Sequence, residues 1–121
     1  MNTQKKILVV DDDATNRKLL NIVLSRKNNI KVIEAENGSD ALNKLTPDIS
    51  MVLLDIFMPV MNGIEFMKNL RTQKPELADI PIIVLTTDDT KKQEALSWGA
   101  KDFMRKPVNP TNLWEKISKY L

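Results

Sequence analysis

Apolar residues fall in five short runs separated by amphipathic stretches. Those at 7–10, 51–54 and 80–85 are continuous, and weaker ones cover 31–35 and 101–104. Runs of this length bounded by polar residues read as strands. Unbroken apolarity suits central strands of a parallel sheet covered on both faces, and the weaker pair suits its edges. Leu19, Leu20, Val23 and Leu24 recur at one-turn spacing after the polar start Asp12, Asp13, Ala14, predicting a first helix whose apolar stripe they form. A second helix should follow Gly38, with Ala41, Leu42 and Leu45 inward, and stop before Pro47. A third should follow Gly63, with Ile64, Phe66, Met67 and Leu70 inward. The fourth is shorter: it opens near Asp88 or Asp89, carries Ala95, Leu96 and Trp98, and ends at Gly99 in a left-handed C-terminal position. The fifth takes Asn109 as N-cap and Pro110 as its first helical residue, and presents Leu113, Ile117 and Leu121.

Strand and helix thus alternate five times with no linker or repeat, which predicts one α/β domain over residues 1–121. Its crossovers should be right-handed, and ligands should bind beyond the carboxyl ends of the strands, where the winding direction reverses.

Composition narrows the chemistry. A chain of 121 residues, 42% of them hydrophobic, suffices for one core without disulfide or metal staples. Lysine and arginine total 18 against 16 acidic residues, a net +2 too small and scattered to argue for direct nucleic-acid binding. Without cysteine there is no disulfide scaffold, thiolate metal site or cysteine nucleophile. Without histidine there is no imidazole base, ligand or phosphohistidine, so catalysis would rest on carboxylates, lysines, hydroxyls or a hard metal ion. No apolar run approaches a membrane span, and Met1-Asn2-Thr3-Gln4-Lys5-Lys6 leads into the first strand without leader architecture. A soluble cytoplasmic protein independent of membranes is the expectation.

The residues after the central runs are Asp11, Asp12 and Asp13, then Asp55, then Thr86 and Thr87, while Lys106 precedes Pro107 after the last strand. All fall at the expected ligand edge. Carboxylates held close repel one another unless a cation binds or one protonates. With few ligands, all oxygen, Mg²⁺ fits best, and it is usually held by one or two carboxylates plus a phosphate. A carboxylate, a cation, a hydroxyl and a lysine are the parts needed to form and stabilise an aspartyl phosphate. Asp55, alone at the end of a buried strand, is the better nucleophile, and adjacent Asp11 and Asp12 suit the metal and its waters. Asp13 reads as a helix cap only. Taken singly, Thr86 would be an ordinary strand end and Lys106 a solvated lysine; the set gives them meaning.

At this point the chain resembles the response-regulator receiver domain, the CheY-like module of bacterial two-component signalling. The resemblance covers nearly the whole chain and rests on Ile7-Leu8-Val9-Val10-Asp11-Asp12, on Leu54-Asp55 with Met58-Pro59 and Gly63, on Leu85-Thr86 and on Lys106-Pro107, in order and at family spacing. It implies a doubly wound, five-stranded parallel sheet of order 2-1-3-4-5 flanked by five helices. Asp55 would accept a phosphoryl group from the histidine of a partner kinase or phosphotransfer protein, which agrees with the missing histidine here. Asp12 and Asp55 would ligate Mg²⁺ through side chains, Phe57 through its backbone carbonyl, and Asp11 mostly through water. Thr86 would bond a phosphoryl oxygen, and Lys106 would contact the phosphoryl group or pair with Asp55 before it arrives, across a cis Lys106–Pro107 bond. Phe103 matches the switch aromatic, without a hydroxyl, and the face of helix four, strand five and helix five would change its affinity for a downstream target or fused output domain. Dimerisation through that face is compatible with the resemblance. Such a domain is a phosphoacceptor rather than an enzyme, and it could stand alone or lead a longer protein.

Four positions depart from the commonest pattern. Asn62 stands where aspartate is frequent, affecting loop capping rather than chemistry. Thr87 replaces a smaller residue beside the phosphoryl pocket and would slow access to it. Phe57 and Asp88 occupy positions that tune phosphoryl lifetime. Elsewhere, Phe103 could equally be plain core, Trp114 is either a core edge or an exposed anchor for a partner, and Lys5-Lys6 and Lys91-Lys92 read as solvated charge pairs. A competing reading takes Asp11, Asp13 and Thr15 as the DxDxT nucleophile motif of a haloacid-dehalogenase-type phosphatase, which leaves Asp55, Met58-Pro59 and Gly63 unexplained. A third, a receiver-like module that no longer phosphorylates, has no missing site residue to support it.

Overall fold

The computed structural model describes residues 4–27 and 29–121; residues 1–3, part of the stretch read as lacking a leader, lie outside the described residues. Strands β1 (Lys5–Val10), β2 (Ile30–Ala35), β3 (Ile49–Asp55), β4 (Ile82–Thr86) and β5 (Asp102–Arg105) alternate with helices α1 (Ala14–Leu24), α2 (Gly38–Lys44), α3 (Gly63–Gln73), α4 (Lys92–Ser97) and α5 (Pro110–Ser118). All strand pairs are parallel, in the order β2-β1-β3-β4-β5.

Alternation along each strand explains why the central runs are unbroken. Leu8 and Val10 of β1, with Val52, Leu54 and Val84, pack on one side against α2, α3 and α4, where Phe66, Met67 and Leu70 are buried. Ile7 and Val9, with Met51, Leu53, Ile83 and Leu85, pack on the other against Leu24, Leu113 and Ile117 of α1 and α5. No helix among the described residues is long and apolar enough to cross a membrane.

Helix ends follow local chemistry. Asn62 and Glu65 form a reciprocal capping box at α3, which bears out the capping role expected of Asn62. Asn109 caps α5 ahead of Pro110 as expected, and Asn37 caps α2; Gly38 and Gly63 are the first helical residues rather than preceding ones. Gly99 closes the α4 region at φ 110°, while the opening expected near Asp88 or Asp89 is a single 3-10 turn, Asp89–Lys91, capped by Asp88, before α4 proper begins at Lys92. β4 starts at Ile82 rather than residue 80, because Pro81 has no N–H for the ladder.

The first helix is the larger correction. Of its expected stripe only Leu24 is buried; Leu20 and Val23 are half-buried and Leu19 is 56% exposed. Leu19, Leu20 and Val23 instead line an open apolar groove facing Val108 and Leu113 at α5. Helical periodicity reports which residues share a face, not whether a neighbour covers it.

Candidate functional site

The winding reverses between β1 and β3, whose last paired residues are Val10 and Leu54. Asp11 and Asp55 therefore leave the sheet side by side. Both are buried, 2% and 7% exposed, whereas Asp12 is exposed, and one carboxylate oxygen from each of the three lies within 4.8 Å of the others. Asp11 is held on several sides. Its N–H donates to the Ala35 carbonyl at 3.1 Å, and its Oδ1 accepts from the Asp13 N–H at 2.9 Å.

Behind Asp55 the chain makes a compact return into α3. The Gly63 N–H donates to the Ile56 carbonyl at 2.8 Å, and a Cβ on Gly63 would lie 2.5 Å from the Asp55 carbonyl oxygen, so only glycine permits this approach. The return turns at Val60, whose φ of 69° is bracketed by a 2.8 Å hydrogen bond from the Met61 N–H to the Pro59 carbonyl, the pattern of a γ-turn of the strained kind. Phe57 lies in this loop and is 46% exposed.

Lys106 arrives from β5. Its backbone N–H donates to the Thr86 carbonyl at 2.8 Å, and the Lys106–Pro107 bond is cis. The ammonium bridges two carboxylates unequally, with Nζ 2.6 Å from Asp11 Oδ2 and 3.4 Å from Asp55 Oδ2. The expected pairing with Asp55 is present, but Asp11, the more deeply buried carboxylate, takes the shorter contact.

Burial pushes the Asp55 carboxyl above its ordinary pKa, and the neighbouring Asp11 charge adds to this, against the opposing pull of Lys106 and the Phe57 backbone amide. Burial alone would lower the Lys106 ammonium, but its hydrogen bond to Asp11 and the two carboxylate charges outweigh burial and raise it. With the three carboxylates ionised, one ammonium leaves two negative charges uncompensated. An all-oxygen donor set with that deficit fits a hard divalent cation.

Thr86 is fully buried at the end of β4, one step along from the Asp55–Leu85 pair, and its hydroxyl accepts from the Asp88 N–H at 3.3 Å. Asp88 also caps the 3-10 turn, accepting from the Thr90 N–H at 2.9 Å. Thr87 is exposed and lines the α1–α5 groove together with Lys106. Phe103 is half-buried on β5, packed on the α3–α4 half of the core, with the Lys92 ammonium 5.4 Å from its ring centroid. Lys91 and Lys92 are both exposed, as expected of a solvated pair, with Lys92 lying over that ring, and Lys6 pairs with Asp48. Trp114 is resolved as a core edge: it packs beside Leu113 and Ile117, with Lys27 5.4 Å from its ring centroid.

Asp13 stays out of the cluster. It caps α1, accepting from the N–H groups of Thr15 at 2.8 Å and Asn16 at 3.4 Å, so the DxDxT reading loses its second carboxylate to a structural task. The sequence pattern did not single out Arg17, whose Nη1 donates to the Asp11 carbonyl at 2.6 Å while its Nε contacts Glu34 at 3.2 Å. Its only sequence signal is a cation one turn inside α1.

Comparison with known proteins gives one answer. The family model described as "Response regulator receiver domain" matches residues 7–118. A "Chemotaxis protein CheY homolog" of Campylobacter jejuni is 38% identical over 120 residues, covering 96% of this chain and 92% of that protein. The solved chemotaxis protein CheY4 of Vibrio cholerae superposes with a TM-score of 0.88 at 34% identity, covering 98% of this chain and 99% of the other. The response regulator protein TrrA of Thermotoga maritima, solved in complex with Mg²⁺-BeF, gives 0.84 at 36% identity, covering 98% and 100%.

Proposed function

Because this chain belongs to the response regulator receiver domain family, a signalling family, we propose that Asp55 is its phosphoacceptor and that Asp12, Asp55 and the Phe57 carbonyl hold Mg²⁺, with Asp11 acting through water. One observation carries the reading: a buried carboxylate, Asp55, held within 4.8 Å of two others and 3.4 Å from a lysine ammonium at the winding switch point. The cation would supply charge neutralisation for the phosphoryl oxygens, and a relative of this chain has been solved with Mg²⁺ and a beryllofluoride.

The chemistry left to the chain is positioning and electrostatics. An Asp55 carboxylate oxygen forms a bond to phosphorus as the bond from phosphorus to the donor nitrogen breaks, leaving the electron pair on that nitrogen. The donor histidine lies outside residues 1–121, which contain none, and is assigned to a histidine kinase or phosphotransfer protein. Lys106 turns part of its charge from Asp11 to the incoming phosphoryl oxygens, and the Thr86 hydroxyl donates to one of them. Turning the already buried Thr86 hydroxyl from the Asp88 N–H toward the phosphoryl group biases Phe103 and the face of α4, β5 and α5 toward a second arrangement with a different affinity for a protein target or output domain, a population shift driven by the new contacts. In this reading residues 1–121 belong to one cytoplasmic receiver domain whose only catalysis is of its own phosphorylation and dephosphorylation. Asn62 and Thr87 modify this scheme at its edges, and Phe57 and Asp88 set how long the acyl phosphate lasts.

Intact-mass analysis after incubation with acetyl phosphate tests this. A Mg²⁺-dependent phosphoryl adduct that disappears in Asp55→Asn is expected. An adduct that survives Asp55→Asn but vanishes in Asp11→Asn would transfer the nucleophile to Asp11 and favour the phosphatase reading. No adduct under any condition would leave a silent interaction module.

A further inference from the structure

Within the acidic cluster Asp12 is the exception. It is exposed, and its side chain takes part in no hydrogen bond among the described residues, whereas Asp11 and Asp55 are buried and both contact Lys106. What aims the Asp12 carboxylate is therefore the backbone that carries it, above all the peptide plane between Asp11 and Asp12. The carbonyl of that peptide accepts the 2.6 Å hydrogen bond from Arg17 Nη1. Arg17 reaches it from α1 with its side chain 17% exposed, and it is itself anchored: Nε lies 3.2 Å from Glu34 Oε1, and Asn21 Nδ2 holds Glu34 Oε2 at 3.0 Å. Glu34 stands on the edge strand β2 opposite Val9. One guanidinium thus ties the acidic turn after β1 to α1 and to the sheet edge.

A cation so close to a site that must attract a second cation is unfavourable by charge alone. Its presence is accounted for if its hydrogen bond is needed more than its charge is harmful, and if Glu34 compensates the charge. We propose that Arg17 is a positioning residue for divalent-cation binding, acting through the Asp11–Asp12 peptide, with Glu34 as its anchor and counter-charge. This rests on the reading above that Asp12 helps hold the cation.

The two effects of Arg17 have opposite signs, which makes the test decisive. Removing its charge should tighten cation binding; removing its hydrogen bond should loosen it. Calorimetric titration of MgCl₂ into the full chain, beside urea unfolding without cation, reads both affinity and stability. Arg17→Ala is expected to weaken Mg²⁺ binding roughly tenfold or more, the scale set by loss of partners that orient metal ligands. Arg17→Lys, keeping the charge and one donor, should recover part of it. Glu34→Gln should also weaken binding, and adding it to Arg17→Ala should weaken it little further, because Glu34 acts through Arg17. Should Arg17→Ala not fold, Arg17→Lys and Glu34→Gln carry the test, each expected to fall measurably below the unsubstituted chain. Variants that lose stability yet bind Mg²⁺ with unchanged or tighter affinity would overturn the proposal and leave Arg17 a structural tie. An unsubstituted chain that binds no Mg²⁺ would overturn the cation reading with it, a result distinct from failure at Arg17 alone.

Discussion

Replacing Asp12 by asparagine should stabilise the cation-free protein while abolishing most of its stabilisation by Mg²⁺. The three carboxylates present oxygens within 4.8 Å of one another. At that separation each like-charged pair costs about 0.9 kcal/mol in a water-like dielectric and about 3.5 kcal/mol at an effective value of 20. Asp12 is exposed, so its two pairs sit near the lower figure, about 2 kcal/mol together. Attraction to Lys106 and the favourable placement of a carboxylate ahead of α1, worth about 0.3–1 kcal/mol, subtract from this. About 0.5 kcal/mol of net stabilisation remains. With a urea dependence of roughly 1–3 kcal/mol per molar, the midpoint in EDTA should rise by about 0.3 M. In millimolar Mg²⁺ the order should invert, because ligand binding to the native state stabilises the unsubstituted chain most. Urea titrations followed by circular dichroism, with EDTA or with Mg²⁺, decide the matter. An Asp12→Asn variant less stable than the unsubstituted chain in EDTA would show that no repulsion is stored in the cluster, and the argument for a cation would lose its electrostatic basis.

Lys106→Met strands two buried carboxylates and should cost about 3 kcal/mol in EDTA at neutral pH, the scale of breaking a buried pair, with the deficit shrinking as acid protonates the stranded charge; urea titrations across pH read this. Burial pushes the Asp102 carboxyl up, but hydrogen bonds from Lys116, the Phe103 N–H and Tyr120 outweigh it and hold the group below its ordinary value. A depressed folded pKa contributes stability that is present above the unfolded value near 3.8 and lost as pH falls through the folded one, so Asp102→Asn should lower the unfolding midpoint at neutral pH and converge with the unsubstituted chain in strong acid. Val60→Gly relieves a β-branched residue at φ 69° that is 81% exposed and buries little, and should raise stability by about 1 kcal/mol after the entropic cost of glycine, as thermal unfolding would show.

Much of the architecture was legible because the central strands are covered on both faces, which makes Ile7 to Val10 and Met51 to Leu54 unmistakable runs, and because chemistry in such sheets gathers after the strands. Asp11, Asp12, Asp55 and Lys106 could be collected from chain order alone, and the structure brings all four together. What stayed hidden depends on geometry between elements. Leu19 has the spacing of a core residue but faces an open groove, since α1 and α5 do not close over it. The preference of Lys106 for Asp11 over Asp55 reflects differences of less than an ångström in side-chain reach. The Arg17–Glu34 contact joins a helix to an edge strand 17 residues away and leaves no periodic or motif signature.

The central claim, that Asp55 carries the phosphoryl group, is tested most directly by trapping. After incubation with acetyl phosphate and Mg²⁺, borohydride reduction converts a phosphorylated aspartate to homoserine, and tandem mass spectrometry reads the position. Conversion at Asp55 alone is the predicted result. Conversion at Asp11 or Asp12, with Asp55 untouched, would contradict it.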